Sequence, residues 1–397
     1  MSDESSVIEI DGSFGEGGGQ ILRNSVSLAA ILRKAIKIKR IRAARSKPGL
    51  KAQHIQGMKL CSSLCGGLLE GCHLGSSEVS YSPADMDQSG TPRTIFIGDT
   101  KTAGSICLIL QAALPVAMFA RKNPTTLILK GGTNASMAPP YDYWERVFLP
   151  ILVEKFNVPG GLIHHTITRR GYFPKGGGEV RITTSPLLRP LDPIFMTQRG
   201  TISEISIRSY CAGSIPLQVA TEMADSAKKI LRQKNILVHP RIDIVREANA
   251  IGDGSGILIV AKTTTGCLLA GSALGETKKR GHVVGREAAE ELIETIEDGG
   301  CVDEWLQDQL ILFMALAKGK SEILTGSLTL HTQTAIWVAQ QLCGAVFEVE
   351  RAAGDVVMRK DSSSVADAYG KDGRIPGKHL IRCSGIGYVN QQNQEPH

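Results

Sequence analysis

Short apolar runs with a strand-like pattern alternate along this chain with longer stretches whose apolar positions recur at helical spacing. The first run, Val7 to Ile10, enters a glycine cluster, Asp11-Gly12-Ser13-Phe14-Gly15-Glu16-Gly17-Gly18-Gly19, and an amphipathic helical pattern leaves it. Glycine-led helices are predicted over Gln20 to Leu32, Thr102 to Ala120 and Thr332 to Leu342, with strands at Thr126 to Leu129, Glu179 to Thr183 and Ile323 to Leu330. This recurrence predicts a repeated α/β unit. The composition changes at the proline- and leucine-rich stretch Pro186 to Pro193. A new set follows: strand Thr201 to Arg208, helix Leu217 to Lys234, strands Ile242 to Val245 and Gly256 to Thr263. The earlier style resumes near Gly285, so residues 188–286 read as an inserted domain between 1–187 and 287–397. The acidic pattern Glu287 to Asp298 reads as a solvated helix, and Met1 to Ser6, Asp361 to Gly377 and Asn390 to His397 as mobile segments.

The first glycine cluster carries chemistry as well as a turn. Its glycines free backbone N–H groups to approach a ligand, and the helix start adds partial positive charge there. Glu16 supplies a carboxylate able to hold a metal ion, and Arg23 an anion contact, a combination that suits a metal-bound polyphosphate. The named phosphate motifs do not fit. A dinucleotide fingerprint needs glycine where Gln20 stands, and the Gly-Lys-Ser at Gly319 to Ser321 has Met314 where a P-loop needs its first glycine.

The chain has 397 residues, 42% hydrophobic and 21% charged, enough for more than one sizeable core. It shows no apolar run of membrane-spanning length and no signal peptide, which predicts a soluble intracellular protein with no membrane partner. Nine scattered cysteines fit reduced thiols better than a disulfide framework. Cys61, Cys65, Cys72 and His73 lie close together, yet they lack a second paired half, and Cys61 with Cys65 falls on a helical pattern; buried helix cysteines are the stronger reading over zinc. The net charge of +6 is mild. Its distribution says more: residues 33–51 hold Arg33, Lys34, Lys37, Lys39, Arg40, Arg42, Arg45, Lys47 and Lys51 with no acidic residue. Such a segment is either a solvated face or a site of attraction for a polyanion.

Several segments together carry a family likeness. They are Glu9 to Arg23; Ile41 to Leu50 with Gln53-His54; Gly131-Gly132-Thr133-Asn134 through Pro139; Arg170-Gly171-Tyr172-Phe173-Pro174-Lys175-Gly176-Gly177-Gly178-Glu179-Val180; Asp308-Gln309-Leu310; and Leu330-His331-Thr332-Gln333-Thr334. The chain resembles the RNA 3′-terminal phosphate cyclases from about residue 7 to Gly387, and the triple-glycine run at 170–180 is the most specific part of the match. The resemblance implies an α/β (α+β) fold built of repeated βαβ-type units, of the kind found in enolpyruvyl transferases and the C-terminal domain of translation initiation factor 3, with a smaller inserted α/β domain. It implies ATP as co-substrate, magnesium or manganese as metal, and RNA bearing a 3′-terminal phosphate as partner, with no DNA-specific partner. It also implies a nuclear place (nucleoplasm) in a eukaryote and a cytoplasmic one otherwise. The implied reaction passes through a histidine–AMP and an adenylated RNA 3′ end, and closes a 2′,3′-cyclic phosphate.

The resemblance assigns the nucleophile to His331, whose side chain must be a neutral imidazole near physiological pH. His54, His73, His164, His165 and His282 are other histidine candidates, but His331 stands in the nucleophile motif. By the same resemblance Glu16 lies near the phosphates and the metal, Gln111 and Pro139 line the nucleotide pocket, and Trp305, Asp308 and Gln309 complete it. On a helix positions 305, 308 and 309 share a face. Trp305 could stack on adenine, although the family more often has tyrosine there, and Asp308 could accept ribose or adenine hydrogen bonds. Arg23, Arg42, Arg45, Gln53 and His54 match positions used around the RNA end, where guanidinium groups suit a terminal phosphate. One departure is the insertion of Glu276-Thr277-Lys278-Lys279 before Arg280-Gly281.

Two rival readings follow from the same residues. A ribosome-assembly branch has the cyclase-like fold without adenylation, but it loses the glycine–glutamate loop and the histidine, both kept here. A small-molecule transferase with the same repeated unit would need neither the cyclase signature nor the basic segment.

Overall fold

A computed structural model describes residues 7–83, 93–352, 356–358 and 374–390. Strands Ile8–Asp11 and Ile36–Lys39 pair in parallel, which demands a crossover, and helix Gly19–Leu32 supplies it. Helix Ala52–Cys65 then leads into strands Leu68–Glu70 and Val79–Ser82, and the latter lies antiparallel between Leu68–Glu70 and Ile36–Lys39. The result is a β-α-β-α-β-β unit whose strands stand in the spatial order first, second, fourth, third.

The same unit recurs twice. Its second copy runs Ile95–Asp99, helix Ile106–Phe119, Thr125–Gly131, helical turns from Tyr141–Tyr143 to Leu149–Lys155, then Ile163–Gly171 and Gly178–Thr184, in the same strand order. The third uses Phe195–Met196, helix Glu304–Leu316, Lys318–Thr325, helix Leu330–Cys343, Val346–Arg351 and His379–Ile386, with Val356–Met358 added at one edge. The expected strand Ile323 to Leu330 therefore stops at Thr325, and Leu330 already belongs to a helix.

Helix Gly19–Leu32 packs against Ala52–Cys65, Ile106–Phe119 and Leu330–Cys343, so helices from all three copies meet around it. Ile21, Leu22, Val26, Ile109, Leu110 and Ile336 fill that centre. Helix Ile106–Phe119 is buried almost all round, as its sequence, apolar but for Gln111, demands.

Between Phe195–Met196 and Glu304 the chain builds a second core. Strand Ile202–Ala212 pairs in parallel with Arg241–Glu247 and antiparallel with Gly254–Thr263, which pairs in turn with Leu268–Leu274. Helices Leu217–Gln233 and Gly281–Asp298 cover one face of this sheet over Ile205, Ile207, Ile257 and Ile259. The second helix runs straight through the boundary expected at residue 286. Val284, Ala288, Ala289, Leu292 and Ile293 enter the core, so only the face carrying Glu290, Glu294 and Glu297 is solvated.

A buried ionic knot ties this part to the second repeat. Asp142 is 1% exposed and accepts from both terminal nitrogens of Arg170, at 2.7 and 2.8 Å, and from Nε of Arg208 at 2.9 Å. Arg208 also donates to Glu247 at 2.5 Å, and strand Ala250–Ile251 joins the second repeat's sheet beside Ile163–Gly171. Of the segments expected to be mobile, Met1 to Ser6 lies outside the described residues, as do residues 361–373 and 391–397. Arg374 and Ile375 are anchored: Ile375 is buried and exchanges backbone hydrogen bonds with Leu328, and Arg374 pairs with Glu304 at 2.5 Å.

Candidate active site

The glycine cluster folds back onto helix Leu330–Cys343. Asp11 Oδ1 accepts from the N–H and hydroxyl of Ser13, at 3.0 and 2.7 Å, and turns the chain directly after the first strand. Gly15 has φ +57°, and a Cβ there would lie 2.5 Å from the Thr334 hydroxyl, so glycine satisfies both the backbone and the close approach. Phe14 stacks on Trp337 with ring centroids 4.2 Å apart, and the Glu16 N–H points to Thr334 Oγ1 at 3.4 Å. Thr329 caps the helix by accepting from the Thr332 N–H at 3.1 Å. His331 consequently sits in the first turn, on the side facing the loop.

His331 Nδ1 lies 3.0 Å from Glu16 Oε2, a close ion-pair contact rather than an aligned hydrogen bond. Glu16 Oε1 accepts from Arg45 Nη2 at 2.6 Å, and the same nitrogen reaches the Glu16 carbonyl at 3.0 Å. Burial alone would lower the His331 pKa, but the Glu16 and Asp308 carboxylates outweigh it and raise it. Burial would raise Glu16; His331, Arg23 and Arg45 hold it below the usual carboxylate value. Asp308 is buried, and burial pushes its pKa to about 6 despite His331 and Arg23. Desolvation lowers the Arg23 guanidinium pKa, opposed by Asp308 and Glu16. Glu16, Arg23, Arg45, Asp308 and His331 thus form one interacting charged cluster. The two arginines and the N–H-rich start of helix Gly19–Leu32 give it the chemistry that suits an anion.

Arg23, Gln53 and His54 line a small pocket beside this cluster, walled by Leu22, Met58 and Leu108. The His54 ring is buried, and its Nδ1 accepts from the Lys51 N–H at 3.2 Å, which leaves the proton on Nε2. Desolvation, then Arg23, Arg42 and Lys51, drive its pKa to about 3, so it is neutral. Gln53 Oε1 accepts from the Ser105 N–H at 3.3 Å. Arg42 is placed differently. It is buried in its own loop and donates to the carbonyls of Lys47 and Gly49 at 2.5 and 3.1 Å, holding the segment from which Arg45 reaches Glu16. Elsewhere the basic segment is partly neutralised, with Lys37 on Glu78 at 3.3 Å and Lys39 on Glu9 at 2.5 Å.

On the other side of helix Gly19–Leu32, Gln111 and Gln309 share a pocket with Gln20, Asn24, Trp144 and Phe313. Pro139 is buried just before the helical turn at Tyr141 and does not line that pocket. Trp305, Asp308 and Gln309 lie on one helix as expected, and Gln309 Nε2 donates to the Trp305 carbonyl at 2.6 Å. The Trp305 indole donates to Glu291 Oε1 at 3.1 Å, and burial lifts Glu291 to about 7. Sequence reasoning missed Gln20, Asn24 and Glu291, and it gave no role to Thr334 and Trp337. The signal for the last two was available: they recur three residues apart after His331, along one helical face.

Among the described residues no group of three or more histidine, cysteine or acidic side chains forms a metal cage. Cys61 and Cys65 are buried in helix Ala52–Cys65, Cys61 Sγ lies 3.4 Å from the Ala112 carbonyl, and burial raises the Cys65 thiol to about 12. Among the described residues no helix is long and apolar enough to cross a membrane.

The family model for RNA 3′-terminal phosphate cyclase matches residues 14–349. The chain belongs to that family. Curated relatives agree with the cyclase assignment along most of the sequence. The chain is 40% identical to the probable RNA 3′-terminal phosphate cyclase of Dictyostelium discoideum, over 97% of this chain and 84% of that protein. It is 37% identical to the RNA 3′-terminal phosphate cyclase of Drosophila melanogaster, over 98% and 99%. It is 39% identical to that of Pyrococcus abyssi, over 88% and 96%. The cyclase family match takes in the glycine loop from Phe14 onward, the His331 helix and all the residues between them.

Proposed function

We propose that this chain is an ATP-dependent RNA 3′-terminal phosphate cyclase, a ligase that closes a 2′,3′-cyclic phosphodiester through a covalent His331–AMP. The observation that carries the reading is the contact of His331 Nδ1 with Glu16 at 3.0 Å. It turns Nδ1 toward the carboxylate and leaves the Nε2 lone pair for attack. Nε2 attacks the α-phosphorus of ATP; a P–N bond forms and the P–O bond to pyrophosphate breaks. Arg23 and Arg45 stabilise the charge that develops on the phosphates. The RNA 3′-phosphate oxygen then displaces the histidine and takes AMP. The 2′-hydroxyl attacks the activated phosphorus, AMP leaves, and the hydroxyl proton is released.

Gln111, Gln309 and Gln20 are the polar groups offered to the nucleoside, with Asp308 and Trp305 on the same helix as Gln309; the opening between them holds only about 20 Å³, so these side chains must part to admit a ring. Pro139 shapes the adjoining turn. Arg23, Gln53 and His54 are the groups offered to the RNA end, with Arg45 at the approach and Arg42 holding the loop; the space between them is only about 10 Å³, so they must part to admit a phosphate. Glu16 Oε2 is buried and faces His331 Nδ1 without an aligned hydrogen bond, and the second lone pair of this hard oxygen is of the type that magnesium or manganese takes. A metal there would be held by Glu16 and phosphate oxygens, and when bound it would neutralise phosphate charge. We assign such an enzyme to the inside of the cell, and to the nucleus in a eukaryote.

Intact mass after incubation with ATP and magnesium tests the reading. The wild type should gain one AMP, lose it to 3′-phosphorylated RNA, and His331→Ala should gain none. AMP attachment retained in His331→Ala would overturn the nucleophile. No attachment to folded wild type across several metals would favour RNA binding without adenylation.

A further inference from the structure

We propose that the cleft between the second repeat and the inserted sheet carries the RNA strand leading away from the reacting 3′ end. This rests on the cyclase reading above. The inserted sheet buries one face under its two helices, and part of the other face stands open over the helical turn carrying Arg146. A cavity of about 420 Å³ lies there, lined among others by Arg146, Ser206, Arg241 and Lys262. A second, of about 300 Å³, shares Arg146 and adds Arg169 and Asn249. Among the described residues Arg169, Arg241 and Lys262 pair with no carboxylate, and Arg146 meets Asp243 only at 3.8 Å. Glu145, Glu204 and Glu247 also line these cavities, but Glu247 is already engaged by Arg208. The cations are divided between two cavities that share Arg146, an extended arrangement that suits successive phosphates more than a single anion.

The triple-glycine turn joins this cleft to the RNA-end pocket. At one end Arg169 Nε donates to the Gly177 carbonyl at 2.9 Å. Gly176, at φ +62°, lies so close to the Thr102 carbonyl that a Cβ would collide with it. Three residues on, the Ser105 N–H donates to Gln53, which lines the pocket with Arg23 and His54. Phe173, at the start of the same turn, is 79% exposed, and Lys175 beside it is exposed too. An uncovered aromatic ring next to cations is the pairing that holds single-stranded nucleic acid: bases stack on the ring and phosphates meet the charges. The path from the 3′ end therefore crosses Phe173 and enters the cleft at Arg169.

The test is fluorescence anisotropy with 3′-phosphorylated RNA of about ten nucleotides and of about two, across a salt series. Arg241→Glu with Lys262→Glu should weaken the long RNA about tenfold and flatten its logarithmic salt slope by about 1.4, two phosphate contacts' worth, leaving the short RNA unchanged. Phe173→Ala should weaken the long RNA with no change of slope. Lys228→Glu with Lys229→Glu, on the outer helix Leu217–Gln233, makes the same change of net charge away from the cleft. Equal losses from both double variants, or none from the cleft variant, would overturn the proposal. AMP attachment measured without RNA tests the active-site reading separately, so failure of one is distinguishable from failure of the other.

Discussion

Replacing Glu16 with glutamine removes a charge while nearly preserving shape, and the consequence can be worked from the contact with His331. A carboxylate 3.0 Å from Nδ1 favours the tautomer with its proton on that nitrogen and stabilises positive charge on the ring. An ion pair at such a distance is worth about 5 kcal/mol at an effective dielectric of 20. The His331 side chain is 44% exposed, so solvent screens much of this. About 2–3 kcal/mol is the discounted figure, a loss of about 30- to 150-fold in the rate of AMP attachment. The pH profile adds a second readout. Because His331 is raised above its ordinary value, the neutral imidazole that the proposed step needs is lost as pH falls through that raised midpoint, and the midpoint should move down in the variant. Rapid-quench measurement of AMP attachment at several pH values, repeated over a magnesium series, separates the two duties proposed for Glu16. A lost metal ligand raises the magnesium requirement; lost imidazole orientation slows attachment at saturating magnesium. Unchanged rate and midpoint in Glu16→Gln, with ATP still bound, would refute the pairing as the source of the nucleophile's activation.

Asp142→Ala leaves Arg170 and Arg208 without their shared carboxylate and should cost about 3–5 kcal/mol in urea unfolding. Burial would raise the Asp142 pKa, but Arg170, Arg208 and Asn134 lower it; its stabilisation is present above the ordinary carboxylate value and disappears as pH falls through the depressed one. Gln307→Leu removes the acceptor used by the Thr329 N–H at 3.3 Å and the Thr332 hydroxyl at 2.9 Å, and should destabilise by about 2–4 kcal/mol while slowing AMP attachment. The His54 ring resonances should not titrate between about pH 5 and 8, since the group is neutral well below that range.

Local signals carried much of the fold. Glycine-led helices were legible because their caps and apolar faces are contiguous in sequence, and helix Leu217–Gln233 ends one residue from its expected boundary. The triplication was harder to see. Phe195–Met196 is a two-residue strand, too short to show a period, and the inserted segment separates it from the rest of its unit. Helix Gly281–Asp298 misled the boundary, since a charged outer face says nothing about what its inner face covers. The site followed the same rule. Glu16 and Arg23 were recognisable as a local loop-and-helix pair, and His331 by its motif. That Glu16 faces His331, or that Arg42 turns toward its own loop's carbonyls, depends on packing between distant segments that no local period encodes.

The split third unit also sets an order on assembly. The first copy closes its sheet within residues 8–82 and can form as it leaves the ribosome. The third cannot: the Ile194 N–H finds its acceptor, the Ser321 hydroxyl, 127 residues later. Loops of that separation close slowly and late. The helix that delivers His331 to the glycine loop lies beyond this closure. A partly made chain thus holds an N–H-rich loop with no His331 facing it, and the pairing of Glu16 with His331 arrives last, when the C-terminal repeat docks against the first.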